Sequence, residues 1–256
     1  TDVQSTTLKT RGLSHDRRYM VVDQTGRFVS QRECPKLATL TPRIDGNQLW
    51  IEGHRVEHAP AHKRKNVQIW KSEVSARQCD KTTNDWLDHI LGGAYQLVYM
   101  DEQTTRLTSA TWVPNQDEVS FADGYPVLVT TTASLMALND HIQNTGGEAV
   151  PMRRFRPNLV IETDEPWAED SWKSLQIGDV VLDLVKPCAR CIVTTLDQSS
   201  GVKHGREPLQ ALRALRTSTD PDAPGVMFGW NGVARSLGGI HMGDRVRVLQ
   251  TRTFRL

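Results

Sequence analysis

Cysteine is scarce, with four residues in a chain of 256. That is too few for the disulfide framework that staples small secreted domains, so reduced thiols and a cytoplasmic location are expected. Long apolar runs are missing as well. No stretch approaches the roughly 18–20 residues that span a bilayer. The first twenty residues lack the apolar centre of a signal peptide, and no membrane partner is expected. Nor is there a surplus of charge of one sign: 31 basic residues stand against 30 acidic ones, for a formal net charge of +1. A general nucleic-acid binder carries a basic excess, so no nucleic-acid partner is expected either, although a local cationic pocket remains possible. Low-complexity tracts and long linkers are also lacking.

What is present is an ordinary globular composition, 38% hydrophobic and 24% charged, long enough for one large domain or two small ones. Short strand-like runs fill the first third. Arg18-Tyr19-Met20-Val21-Val22 predicts a strand, Gln24-Thr25-Gly26 a turn and Arg27-Phe28-Val29-Ser30 the return strand, while Asp45-Gly46 before Gln48-Leu49-Trp50-Ile51 predicts a hairpin. Trp86, Leu87, Ile90 and Leu91 share one face of a helix predicted over 84–91 and stopped by Gly92-Gly93. A second helix is predicted over 134–142, with Thr130-Thr131-Thr132 as candidate caps and Gly146-Gly147 closing it. Strands are then predicted over 158–161, 177–185, 192–196, 226–233 and 245–249, with a helix over 208–215. Ile177-Gly178-Asp179-Val180-Val181 is echoed by His241-Met242-Gly243-Asp244-Arg245-Val246. Two such Gly-Asp hairpins among many short strands favour a barrel over a βαβ sheet. A soft domain boundary falls near residue 95.

Cys188-Ala189-Arg190-Cys191 is the strongest chemical constellation. It suits half of a zinc site, although Cys34 and Cys79 are isolated and no His pair has ligand spacing. It suits a thioredoxin-like redox pair, although the following Ile192-Val193-Thr194-Thr195 is β-branched and favours a strand over the helix such a pair requires. It suits a thiolate ligand for a soft metal, with Arg190 holding an anion beside it. It also suits two cysteines packed as small apolar side chains. An anionic cofactor needs arginines and helix N-termini, and Asp16-Arg17-Arg18, Arg153-Arg154-Phe155-Arg156-Pro157-Asn158 and Thr130–Ser134 offer both. Each has a plainer use: a salt bridge at a strand edge, a solvated basic surface, and ordinary helix caps.

Taken together and in order, several segments carry a resemblance. They are Gly12-Leu13-Ser14-His15-Asp16-Arg17-Arg18-Tyr19-Met20, Ser120-Phe121-Ala122-Asp123-Gly124-Tyr125-Pro126, Phe155-Arg156-Pro157-Asn158, Gly178-Asp179, Lys186-Pro187-Cys188-Ala189-Arg190-Cys191-Ile192-Val193-Thr194-Thr195 and Phe228-Gly229-Trp230-Asn231. The chain resembles the MOSC-domain family, named for the C-terminal domain of molybdenum cofactor sulfurase. Within it, the likeness is to members that reduce N-hydroxylated compounds, among them bacterial MOSC reductases and the mitochondrial amidoxime reducing component.

The resemblance implies an α+β, β-rich fold, with a MOSC N-terminal β-rich region over 1–94 packed on a MOSC β-barrel with short helices over 95–256. It implies a molybdenum–molybdopterin cofactor and two-electron reduction of hydroxylamines, amidoximes and N-hydroxylated bases. Cys191 matches the family's molybdenum-ligating cysteine and catalytic centre, and Cys188 the less essential first cysteine. Arg17, Thr131, Ser134, Arg156, Asn158, Ala189, Arg190 and Asn231 fall where family members contact the pterin or its phosphate. Family members also carry an early Tyr-Pro-Val-Lys-Ser-like strand whose Lys and Ser reach that phosphate. The sequence from Thr1 onward has no such motif, so weaker cofactor binding and an unpaired strand edge are expected. No Cys-x4-Cys-x2-Cys iron–sulfur run is present, so a separate electron donor or a further ferredoxin-like domain is expected. Trp230 stands where relatives often have Gln. A chain of this length has no room for a PLP-binding sulfurase domain. The alternative role is a non-catalytic carrier of molybdenum cofactor or sulfur.

Overall fold

The computed structural model describes residues 3–254; Thr1 and Leu256, the outer ends of the two expected regions, lie outside them. The first third builds a four-stranded antiparallel sheet in the order Tyr19–Asp23, Tyr95–Tyr99, Ser72–Gln78, Arg64–Ile69. The expected division after residue 94 falls just before Tyr95–Tyr99, which this sheet takes as an inner strand. One sheet face packs Met20, Val22, Val67, Ile69, Val98 and Met100 with Phe121 from beyond the expected boundary. The other face receives helix α1, Lys81–Leu91, which buries Leu87 and Leu91 against Val29, Cys34, Cys79 and Leu97. The helix begins earlier than its apolar spacing predicts. Asp80 caps it, its carboxylate accepting from the Thr83 N–H at 2.8 Å, and Gly92 ends it at φ 75°. Pro42–Asp45, Gln48–Ile51 and His54–Arg55 form the predicted hairpin and one more short strand.

The C-terminal part curls a larger sheet into a half-barrel in the order Leu159–Ile161, Val127–Thr131, Gly225–Ala234, Val180–Ala189, Trp172–Ile177, Val246–Thr251, with Thr217–Ser218 paired to the start of Gly225–Ala234. Only the pair Val127–Thr131 with Leu159–Ile161 is parallel. Its concave side is filled by Val129, Leu175, Leu182, Leu184 and Trp230. Leu8 and Ile240 join them from the small sheet in which Ser5–Lys9 pairs with Gly238–His241. Helices α2, Thr132–Asn144, and α3, Leu209–Leu215, close a second apolar cluster in which Phe155 and Phe228 stack at 3.9 Å. The fold is β-rich, as expected, with three α-helices among the described residues.

Three local expectations are corrected. Arg27–Ser30 is not a regular return strand; it makes one bridge to Val22 and, through its other edge, one to Gln68, where the Phe28 N–H bonds the Gln68 carbonyl at 2.9 Å. Gly178-Asp179 does turn a hairpin, since Ile177 pairs with Val180. Gly243-Asp244 does not: it passes the chain from one sheet to another, and Asp244 closes the turn by accepting from the His241 N–H at 2.8 Å. Finally, Ile192–Thr195 is a single 3-10 turn rather than a strand. Thr194 Oγ1 bonds back to the Cys191 carbonyl (2.9 Å) and Thr195 Oγ1 to that of Ile192 (2.8 Å). Local bonds of this kind compete with a sheet ladder and override β-branched preference.

Gly12 shows how the early motif is seated. It holds φ 109°, and a Cβ there would meet the Pro126 carbonyl oxygen at 2.6 Å. Gly12→Ala therefore faces both a forbidden backbone conformation and a clash with main chain. We expect a loss above about 1 kcal/mol, read as a melting temperature lower by about 2–4 °C or more; an unchanged melt would show that this approach is not tight.

Candidate functional site

The segment after Gly12 runs straight into the site. Ser120 Oγ donates to the Asp16 carbonyl at 3.2 Å and Phe121 N–H to the Arg17 carbonyl at 2.9 Å, so the two motif segments clasp each other. Arg17 sits at φ 49° and His15 at φ 65°. Arg17 Nη2 donates to the Arg156 carbonyl at 3.2 Å, and Arg156 itself, at the end of the turn Met152–Phe155, sits at φ 54°. Non-glycine residues avoid this region, and such outliers gather where function holds the backbone under strain. Asn158 supplies the clamp. It exchanges two bonds with the Leu128 main chain, both 2.9 Å, and its Nδ2 donates to Asp16 Oδ2 at 2.8 Å. Asp16 Oδ2 in turn lies 3.8 Å from Arg17 Nε.

The Arg156 side chain reaches solvent although protein crowds it on its other sides. Desolvation, then the charges of Arg17 and Arg190, pull the Arg156 guanidinium down to about 10, opposed by Asp123 and Asp16. Arg17 and Arg190, bonded to the carbonyls of Arg156 and Phe155, thus add positive charge around Arg156, which a bound anion would offset. Of the basic run around it, Arg153 is exposed and Arg154 is buried beside Asp197 at 3.6 Å. The plain surface reading thus fails for Arg154, while Arg153 and Arg156 both reach solvent.

Arg190 joins this cleft to the cysteines. Its Nη2 donates to the Phe155 carbonyl at 2.6 Å, its guanidinium lies 5.5 Å from the Phe155 ring centre, and its Nη1 donates to Cys188 Sγ at 2.9 Å. Its Nε is buried with no hydrogen-bond partner. Cys188 is therefore engaged, while Cys191, half-buried and free, opens the next turn. Asn231 supports the strand end from below, its Nδ2 donating to the Lys186 carbonyl at 3.3 Å where the ladder with Val180–Ala189 is irregular. Ala189 ends that strand opposite Met227 and offers main-chain groups only. Trp230 points into the barrel core, with its Nε1 donating to Asp170 Oδ1 at 2.8 Å.

Thr131 and Ser134 are not brought to the cleft. Both are fully buried, and their hydroxyls donate to Glu169 Oε2 at 2.9 and 2.8 Å. Thr131 also caps α2. Conversely, the structure adds Arg32, which no spacing in the sequence ties to Cys191. The sulfur of Cys191, with Asp123 and Glu33, holds the Arg32 proton more firmly than usual. Two neighbouring contacts seat it there. Gln31 pairs with Gln198 at 3.3 Å, and a Cβ on Gly201 would lie 2.8 Å from the Pro35 carbonyl oxygen.

Among the described residues no three His, Cys, Asp or Glu side chains gather as a metal-ligand set, so a zinc site has no third protein ligand. A metal that arrives on an organic anion and needs one thiolate from the protein fits instead. The observations that favour it are the free Cys191 thiol, the charge deficit around Arg156 and the unpartnered Arg190 Nε.

The family model described as MOSC domain matches residues 116–247, and that described as MOSC N-terminal beta barrel domain matches residues 1–94. The chain belongs to the MOSC family. The rat (Rattus norvegicus) mitochondrial amidoxime reducing component 2 is 29% identical over 253 residues, covering 92% of this chain and 73% of that protein. The human (Homo sapiens) mitochondrial amidoxime-reducing component 1 is 30% identical over 254 residues, covering 93% and 74%. Its zebrafish (Danio rerio) counterpart is 26% identical over 246 residues, covering 92% and 74%. No helix among the described residues is long and apolar enough to cross a membrane.

Burial raises the Glu169 carboxyl above the usual range, despite the Ser134 and Thr131 hydroxyls. The fold thus favours its protonated form. Its contribution to stability is present at low pH and is lost as pH rises through the raised value. Glu169→Gln, which cannot ionise, is expected to melt at or above the wild type near pH 8, with the gap narrowing toward about pH 4, where the unfolded chain also takes up the proton. Paired melting curves check this; a variant less stable near pH 8 would mean that the ionised carboxylate is favoured.

Proposed function

We propose that the chain reduces N-hydroxylated compounds with a molybdenum–molybdopterin cofactor seated in the Arg17–Arg156–Arg190 cleft and ligated by Cys191. The observation that carries this reading is the pairing of a free thiol with an anion-deficient arginine cleft, joined through Arg190. Relatives named for amidoxime reduction support the oxidoreductase class. In this reading the regions 1–94 and 95–256 are the two MOSC units, and both contribute to the site.

When bound, the molybdenum centre supplies the two-electron redox chemistry, and the overall balance is R–NHOH + 2 H⁺ + 2 e⁻ → R–NH2 + H2O. The protein's share is binding, orientation and electrostatics. Arg17 and Arg156 would hold the cofactor's phosphate as charge-assisted donors. Asp16 and Asn158 fix the approach of Arg17, and Asn231 and Ala189 shape the strand end that would contact the pterin. Arg190 keeps Cys188 occupied and leaves Cys191 for the metal. Thr131 and Ser134 act from behind, by holding the start of α2. A separate electron-donor protein or a further ferredoxin-like domain supplies the electrons, the substrate is a small molecule, and no nucleic acid or membrane is engaged. Four free thiols suit a reducing compartment such as the cytoplasm; the relatives above are mitochondrial by name.

Cys191→Ser is expected to abolish reduction of an N-hydroxylated substrate, and Cys188→Ser to reduce it far less, because the Cys188 sulfur is already bonded by Arg190 in the resting fold. Turnover assays on the two variants with a chemical reductant check this. Equal losses from both would favour a paired-cysteine function and overturn the assignment.

A further inference from the structure

The segment after Cys191 carries a surface that the cofactor site does not use. From the turn Ile192–Thr195 the chain runs into a small loop that is tied back onto it. Leu196 bridges Lys203, Asp197 N–H donates to the Val202 carbonyl at 2.8 Å, and His204 N–H donates to the Thr195 carbonyl at 3.1 Å. Ile192, the residue next to Cys191, is 42% exposed, and Val202 is 54% exposed. Two branched aliphatic side chains thus meet solvent on this turn and its loop. Exposed cations flank them. Lys203 follows Val202, and Arg206 stands three residues further on. Arg153 lies 3.9 Å from Asp197, and Lys36 sits on the turn Pro35–Ala38, whose first carbonyl lies against Gly201. Lys36, Lys203 and Arg206 have no ion-pair partner among the described residues.

Little negative charge answers these cations. A single carboxylate, Asp197, faces Arg153 and Arg154 together. Its Oδ1 accepts from the Ser199 and Ser200 N–H groups at 2.9 and 3.0 Å, which hold the carboxyl down at about 2. Glu207 is taken up at the start of α3, where its Oε2 accepts from the Ala211 N–H at 3.0 Å. Behind the loop, Arg154 has only 8% of its side chain exposed. Its Nε and Nη1 have no partner, and its Nη2 stops 3.6 Å from Asp197 Oδ2, beyond hydrogen-bond reach. A guanidinium buried with so few partners is unfavourable. Its field is little screened by water and adds to that of the cations outside. A carboxylate-rich surface closing over the loop would offset both.

Resting on the reading above, we propose that this face, with Ile192 and Val202 at its centre, docks the acidic face of a one-electron carrier protein and receives electrons beside Cys191. For each substrate two reduced carriers give up one electron apiece, and with two protons these balance the conversion of R–NHOH to R–NH2 and H2O. Three features select this occupant. The charge is complementary and flanks an apolar centre, which suits the small, transient interfaces of redox partners. The position is suitable, since Ile192 adjoins the thiol-bearing residue. A nucleic acid would call for exposed aromatic platforms, whereas the apolar side chains here are aliphatic.

Binding tests this without turnover. A plant-type ferredoxin, an acidic one-electron carrier, is titrated calorimetrically into the full chain, and each variant is checked for folding by its melting curve. The wild type is expected to bind, and to bind about tenfold more weakly when salt rises from about 0.02 M to about 0.2 M. Lys203→Glu/Arg206→Glu is expected to weaken binding at low salt about tenfold and to flatten the salt dependence. Val202→Ser is expected to weaken it severalfold with the salt dependence kept. Lys173→Glu/Arg247→Glu makes the same charge change on Trp172–Ile177 and Val246–Thr251 and is expected to stay within about twofold of the wild type. A wild type that does not bind, equal losses from the two charge reversals, or tighter binding of a single-stranded oligonucleotide than of ferredoxin overturns the docking face. A chain that binds ferredoxin as expected but reduces no N-hydroxylated compound keeps the face and overturns the proposed function. A chain that reduces one with a chemical reductant, yet binds ferredoxin indifferently to Lys203→Glu/Arg206→Glu, keeps the function and overturns the face.

Discussion

An arginine bonded to the backbone of a second arginine governs the arrangement. Arg17 and Arg156 come from distant parts of the chain, both on backbone that non-glycine residues avoid, and Arg17 donates to the carbonyl of Arg156. Left alone, like charges in a crowded cleft would drive these side chains apart. Asp16 and Asn158 prevent it: Asn158 ties the Arg156 turn to the strand Val127–Thr131 while its side chain holds Asp16, and Asp16 lies beside Arg17. The clasp of Ser120 and Phe121 onto Asp16 and Arg17, and the close approach of Gly12 to Pro126, follow from the need to deliver Arg17 there. The arrangement makes physical sense as a seat for an anion, which turns the repulsion into shared attraction.

The thiol side of the site is built by the opposite tactic, in which bonds are used up so that one group stays open. Arg190 spends its donors on the Phe155 carbonyl and on Cys188. The threonine hydroxyls of Ile192–Thr195 fold that segment into a tight turn. Behind the sheet, Thr131 and Ser134 are committed to Glu169, and Trp230 to Asp170. Cys191 is left facing Arg32, which the N-terminal sheet and its loops deliver. Neither half of the chain makes this place alone.

Much of this was legible in the sequence, and the exceptions have physical causes. The apolar spacing of Trp86, Leu87, Ile90 and Leu91 gave α1, and Gly92 gave its end; the start was missed because capping by Asp80 lies outside the apolar stripe. The β-branched run Ile192–Thr195 reads as strand, since propensity does not see a hydroxyl bonding back to a carbonyl three residues earlier. Gly178-Asp179 and Gly243-Asp244 look alike, but only the first joins paired strands, because pairing depends on where the flanking segments find partners. In the site, Arg17, Arg156, Asn158, Arg190 and Cys191 stand in short motifs and could be picked out. Arg32 could not, because only tertiary docking through Gln31–Gln198 and Pro35–Gly201 places it at the thiol.

The central claim is that the arginine cleft seats a phosphate-bearing pterin whose metal is ligated by Cys191. The most direct measurement is the pterin and molybdenum content of the protein purified from cells that make the cofactor, set against a folded Arg17→Gln/Arg156→Gln double variant. The account predicts pterin and molybdenum close to one per chain in the wild type and a large loss of both in the double variant. A wild type that carries neither, or a double variant that keeps both in full, would contradict it.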